Sequence, residues 1–193
     1  MSGQPPEYIL EKLKEFARSH QVEDIANIVL QDPKFLIWSG SGRPEQHHYG
    51  DYGLIIHTAE VIDLCLQNNE FFHKIGESVD NAALFLAALF HDIGKTWDYA
   101  KVEGVWTSVD HKYKIYHVSR SGIIWMQAVT LFGEKYQHMA DSVLHAILAH
   151  HGRREWGSPV EPTNKLAWLV HLCDNMSARM YDCETFKRRD FAK

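Results

Sequence analysis

The chain has 193 residues, of which 45% are hydrophobic and 23% charged. These proportions exclude a disordered chain, a fibre and a disulfide scaffold, and the length reads as one domain over 1–193 that can bury roughly 70% of its unfolded surface. No apolar run approaches the about 20 residues of a membrane span, and a net charge of −5 gives no basic footprint for wrapping a long duplex. Nucleotides and short oligonucleotides stay open, because a bound metal supplies positive charge locally. The first residues lack a basic start and an apolar run, so no secretory signal is expected. Cys65, Cys173 and Cys183 form no CxxC and read as free thiols in a reducing cytoplasm. The unusual feature is 13 histidines, histidine being both the commonest metal ligand and the acid–base group of neutral pH.

In chain order the pattern is helix after helix. Residues 7–19 and 22–30 read as short amphipathic helices, the second broken at Asp32-Pro33. The Gly/Ser-rich stretch 39–44 is a loop by composition. A helix is predicted over 52–67 and a buried one over 81–92, apolar nearly all round, with Gly94 where a C-terminal cap would stand. Val102-Glu103-Gly104-Val105-Trp106 can form a small hairpin. Helices are predicted again over 118–132, 134–151 and 164–180, with Gly152 capping the second of these, and a short one over 184–191.

Polar residues interrupt the apolar stripes of these helices. His57 shares a face with Leu54, Val61 and Leu64; His151, with His150 beside it, follows Ile147 and Leu148; Asp174 follows Leu166, Leu169, Val170 and Cys173. The buried helix ends in His91-Asp92, and His117 begins a stripe through Ser121, Ile124 and Ala128. Burying one imidazole or carboxylate is commonly a matter of one satisfied hydrogen bond or ion pair. Five helix faces that each carry His or Asp favour a metal centre, which takes both groups as ligands.

His91-Asp92-Ile93-Gly94-Lys95 has the form HDxGK. With His57-Thr58 before it, and His150-His151-Gly152 and Asp174-Asn175 after it, the chain resembles the HD-domain superfamily of metal-dependent phosphohydrolases. The segment from His47-His48 to His57-Thr58 is similar to the HHxxxGGLLxHT segment of YhaM-type 3′–5′ exoribonuclease HD domains and of some conjugative-relaxase HD domains. Ile147 to Gly152, Glu155 to Pro159, and Asp174-Asn175 with Ala178-Arg179-Met180 resemble the same group's ILSHHG, EFGSP and IDNLDAKM. The likeness covers about residues 38–182, with the N-terminal helices 7–30 packed on it. Tyr52 replaces the first glycine of GGLL, Ile56 a common glutamate, and Ser177 a frequent aspartate. No separate nucleic-acid-binding module such as an OB-fold is read in these residues, so phosphoester hydrolysis is expected rather than a processive exoribonuclease.

The resemblance implies an all-α HD-domain bundle around two divalent ions. The first would be held by His57, His91, Asp92 and Asp174, the second by Asp92, His117, His150 and His151, with Asp92 bridging. Manganese, iron, cobalt or nickel suit such shells, and zinc is allowed. Asp92 and Lys95 are the catalytic candidates, Lys95 on a phosphate oxygen or the leaving group; a lysine near two cations could also have a lowered pKa and act as an acid. Arg43, His48, Arg120 and Arg153 are candidate substrate contacts, and Arg154 beside Arg153 is another; His47 is expected to be exposed. His20, His73, His138, His145 and His171 lie outside the motif; His111 is ambiguous, being close to His117, but Ser119-Arg120-Ser121-Gly122 better aligns His117 with the family ligand. The six tryptophans read mostly as core, although Trp97 and Trp156 adjoin motif segments and could stack on a base. The implied activity is a phosphodiesterase acting on nucleotides or short single-stranded nucleic acid, with no membrane partner and a homo-oligomer left open. The alternatives are a di-iron oxygenase with overlapping ligands, a nucleotide phosphomonoesterase and a non-enzymatic binding module; the HDIGK lysine and the Gly157-Ser158-Pro159 loop tilt the reading to hydrolysis.

Overall fold

A computed structural model describes the backbone of residues 4–190 and the side chains of residues 4–180. The Cys183 thiol and Phe191 lie outside the described residues. The order is α1 (Pro6–Ser19), α2 (Glu23–Leu30), α3 (Pro33–Ile37), α4 (Gly53–His73), α5 (Asn81–Phe90), α6 (Lys95–Asp98), β1 (Tyr99–Val102), β2 (Val105–Ser108), α7 (Asp110–Lys114), α8 (His117–Phe132), α9 (Gln137–Ala149) and α10 (Lys165–Asp190). The architecture is all-α with one hairpin. No described helix is long and apolar enough to cross a membrane.

The centre of the fold is α5. Its residues Leu84 to Phe90 are fully buried, and each large apolar side chain so buried contributes about 1.5–3 kcal/mol. α5 packs on α4 and α9, α4 and α9 both pack on α10, and α8 packs on α9. α1 lies on α4, and α2 on α5 and α8. The buried helix therefore delivers the next two residues of the chain, His91 and Asp92, to the middle of the bundle.

Several local expectations change. Asp32-Pro33 ends one helix but also begins α3: the Asp32 carboxylate accepts the Lys34 N–H at 2.8 Å and Pro33 takes the first helical position. The hairpin forms, with Glu103 and Gly104 both at positive φ in its two-residue turn. Residues 133–136 form a 3-10 turn ahead of α9, and α10 runs through residues 184–190 without the separate helix expected there. Gly94 is not a left-handed cap: its φ is −60°. A Cβ there would lie 2.3 Å from the His117 carbonyl oxygen, so the glycine is what lets the end of α5 approach the start of α8. Gly152 does adopt positive φ, 82°, after α9, and a Cβ on it would strike the His171 ring.

Candidate metal centre

The seven predicted ligands come from five elements and meet at one end of α5. His57 lies in the second turn of α4, His91 and Asp92 follow α5, His117 opens α8, His150 and His151 follow α9, and Asp174 lies in α10. They form two groups: His57, His91, Asp92 and Asp174, and His117, His150 and His151. Asp92 stands between them. Its Oδ2 is 3.3 Å from Nε2 of His57 and 3.3 Å from Nε2 of His91. Its Oδ1 is 3.4 Å from Nε2 of His117 and 3.7 Å from Nε2 of His150. Asp174 closes the first group, with Oδ1 3.0 Å from Nε2 of His57 and 3.8 Å from Nε2 of His91.

The outward nitrogens explain why Nε2 of all five rings points inward. Nδ1 of His91 bonds the Ala88 carbonyl at 2.6 Å, Nδ1 of His150 the Ile147 carbonyl at 2.6 Å, and Nδ1 of His151 the Trp156 carbonyl at 2.9 Å. A carbonyl only accepts, so each Nδ1 carries the proton and each Nε2 keeps a lone pair. Nδ1 of His117 faces the Asp98 carboxylate at 3.0 Å, and Nδ1 of His57 faces the Ser177 hydroxyl at 3.2 Å. That hydroxyl donates in turn to Glu60 at 2.8 Å, and Glu60 also bonds Nε2 of His48 at 2.9 Å. Such partners fix the tautomer and orientation of metal-binding imidazoles.

The protonation states fit the same use. Burial pushes His117 down to about 4, and burial with neighbouring imidazoles pushes His150 and His151 down to about 3, so these rings are neutral at pH 7. Burial lowers His57 too, but Asp174 and Asp92 outweigh it and hold the ring above its ordinary value. Burial raises the Asp92 carboxyl, but Lys95 and the imidazoles overcome it and keep the group ionised. Asp92 Oδ1 and His150 Nε2 are buried with no hydrogen-bond partner. Buried polar atoms without a partner are costly, and a divalent cation satisfies a carboxylate oxygen and an imidazole lone pair together. The donor set of imidazoles and carboxylates thus fits divalent metal.

A cavity of about 370 Å³ opens onto the centre; Asp92, Lys95, His117, His151 and Asp174 line it, with Tyr99, Tyr116 and Trp156 around them. Lys95 Nζ lies 2.6 Å from Asp92 Oδ2. Burial lowers the lysine pKa, but Asp92 raises it more, so Lys95 is held as a cation, which suits the phosphate or leaving-group role over the alternative of an acid with a lowered pKa. Two further cations line the cavity, Lys112 and Arg179. Sequence reading gave neither a role, although Asp174, Asn175, Ala178 and Arg179 share a helical face and all reach the cavity.

Of the candidate substrate contacts, Arg43, His48, Arg120 and Arg153 lie outside the cavity lining. His48 turns inward to Glu60, Arg120 donates from Nε to His111 Nε2 at 3.1 Å, and Arg153 stacks over the Trp156 ring at 5.1 Å from its centroid. Arg43 and Arg154 are exposed. His47, expected to be exposed, is half-buried and lines the cavity. The loop before α4 folds inward to place it: Ser39 Oγ accepts the Gly50 N–H at 2.9 Å, and Gly40 N–H bonds the His48 carbonyl at 2.9 Å. Burial pushes His47 down to about 3.

A helical bundle that gathers five imidazoles with the carboxylates of Asp92 and Asp174 has the donor set of a His/Asp domain that could hold metal. The model of the HD domain family matches residues 54–179, and the chain belongs to that family. It is 30% identical over 139 residues to a protein named 3′–5′ exoribonuclease YhaM of Bacillus velezensis, across 70% of this chain and 41% of that protein. A protein of the same name from Oceanobacillus iheyensis is 27% identical over 139 residues, with the same coverage of 70% and 41%. The match thus spans about two fifths of these relatives' length. No solved structure matches the chain.

Proposed function

We propose that this protein is a metal-dependent phosphodiesterase acting on nucleotides or short single-stranded nucleic acid. The observation that carries the reading is the division of Asp92, whose two oxygens face two different groups of ligands. His57, His91, Asp92 and Asp174 would hold one ion, and Asp92, His117, His150 and His151 the other. A pair of divalent ions so bound supplies a hydroxide nucleophile at neutral pH and neutralises charge at phosphorus. Manganese, iron, cobalt or nickel best suits the mixed donors, and zinc remains compatible.

The chain's own residues supply the remainder. Lys95, cationic and fixed beside Asp92, is placed to stabilise a phosphate oxygen or the departing oxygen. Lys112 and Arg179 face the same space and would hold the flanking phosphates. Trp156 and Tyr116 line the same cavity as these cations, and aromatic rings with cations are the pairing that binds single strands by stacking and charge. The names of the two relatives support a nucleic-acid substrate, and a recessed centre favours a flexible strand over a duplex.

The test is hydrolysis of bis-p-nitrophenyl phosphate and p-nitrophenyl phosphate by manganese-loaded protein. Diester cleavage that exceeds monoester cleavage supports the reading. Monoester cleavage alone would make the protein a phosphomonoesterase, and two bound irons with no hydrolysis would point to the oxygenase alternative.

A further inference from the structure

His117 is the only described ligand whose Nδ1 rests directly on a carboxylate; His91, His150 and His151 rest on backbone carbonyls and His57 on a hydroxyl. That carboxylate belongs to Asp98, at the end of α6, which is fully buried. One of its oxygens, Oδ2, receives both the backbone N–H and Nδ1–H of His117, each at 3.0 Å. The other, Oδ1, faces Nδ1 of His111 at 2.7 Å. The His111 tautomer is set from behind, because the Arg120 guanidinium has donors only and aims Nε–H at His111 Nε2 from 3.1 Å. Nδ1 of His111 therefore carries a proton and donates to Asp98. Arg120 is itself held over the Trp97 ring, 4.5 Å from its centroid.

We infer that Asp98 is the positioning residue for the second ion, and that His111 and Arg120 hold it in place. This rests on the proposed metal centre and adds to its ligands a relay that runs from half-buried Arg120 and His111 through buried Asp98 to His117. The relay is asymmetric. It pins both the backbone and the ring of one ligand of the second group, and it touches no ligand of the first group except the shared Asp92 through His117. An anionic acceptor also makes an imidazole a stronger donor to a metal than a neutral acceptor does. Arg120 and His111 thereby acquire a role that neither a phosphate contact nor an unassigned histidine describes.

The test is a two-site cobalt(II) titration of the full chain, followed by calorimetry and by the visible spectrum of the bound cobalt. Asp98→Asn keeps the shape and one acceptor oxygen but removes the charge. It is expected to weaken the second ion by about 10–100-fold, to change that ion's cobalt bands, and to leave the first ion's affinity unchanged. Arg120→Ala, which alters no ligand and no cavity-lining residue, is expected to weaken the same ion by a smaller factor. Thermal unfolding of the metal-free variants reports folding, and if Asp98→Asn does not fold, Arg120→Ala carries the test alone. Equal weakening of both ions would assign Asp98 a merely structural role and overturn the inference. So would unchanged second-site affinity and spectrum in the folded variants. Wild-type protein that takes up no second ion would overturn the metal pair and the relay together. Two bound ions without diester cleavage would overturn the proposed activity and leave the relay standing.

Discussion

A carboxylate in a helical core costs several kcal/mol unless it is paired, and Asp92 is buried among two imidazole groups and one lysine. That concentration of charge is what the metal reading explains. Lys95 is separable from the ligands, because it touches Asp92 but belongs to neither ligand group. Lys95→Ala should keep both ions and lower turnover by about 10²–10³-fold, as the loss of one preorganised donor does; metal analysis alongside steady-state kinetics checks both halves. Loss of metal in that variant would place Lys95 in the structural support of the centre instead. The residue scale was unevenly legible in the sequence. His57, Asp174 and the His150-His151 pair stand out because they interrupt apolar stripes whose period can be counted. Asp98 does not, since it ends a four-residue helix with no stripe to interrupt, and its partners lie 13 and 19 positions away. His47 was misplaced for a similar reason: burial in a loop depends on loop hydrogen bonds, which leave no periodic mark.

The elements matter through where they end. α5 is buried among apolar neighbours, and its C-terminal end meets the start of α8 and the end of α9, which bring their candidate ligands to the same point. Gly94 sets one of these approaches. Gly94→Ala would force a Cβ against the His117 backbone, and it should destabilise the protein by about 1–3 kcal/mol, the usual cost of overpacking. It should also weaken the second ion by displacing His117. Thermal unfolding and metal titration measure the two effects, and a variant as stable and as metal-competent as the wild type would show that the α5–α8 approach is slack. The sequence made the longer helices readable from their 3.6-residue period, and the hairpin from Glu-Gly between short β-rich runs. It misassigned Gly94 because a glycine after a helix has two uses, a left-handed cap and a close approach, and only the tertiary neighbour distinguishes them. It missed α3 because Asp-Pro both ends one helix and starts the next.

At the scale of the whole molecule, a chain of net charge −5 has a cavity that Lys95, Lys112 and Arg179 line together with candidate metal ligands. Its overall charge therefore says little about its ligand, and the local arrangement says more. The family match covers residues 54–179, which is the stretch that carries all seven candidate ligands, Lys95 and Asp98. What joins the fold, the family and the proposed chemistry is the bridging role proposed for Asp92, and the most direct measurement is the metal content of wild-type protein and of Asp92→Ala, purified without chelator and titrated with manganese. The account predicts about two ions per wild-type chain and loss of both, with loss of diester hydrolysis, in a folded Asp92→Ala. A wild-type chain that binds no metal, or an Asp92→Ala variant that keeps both ions, would contradict it.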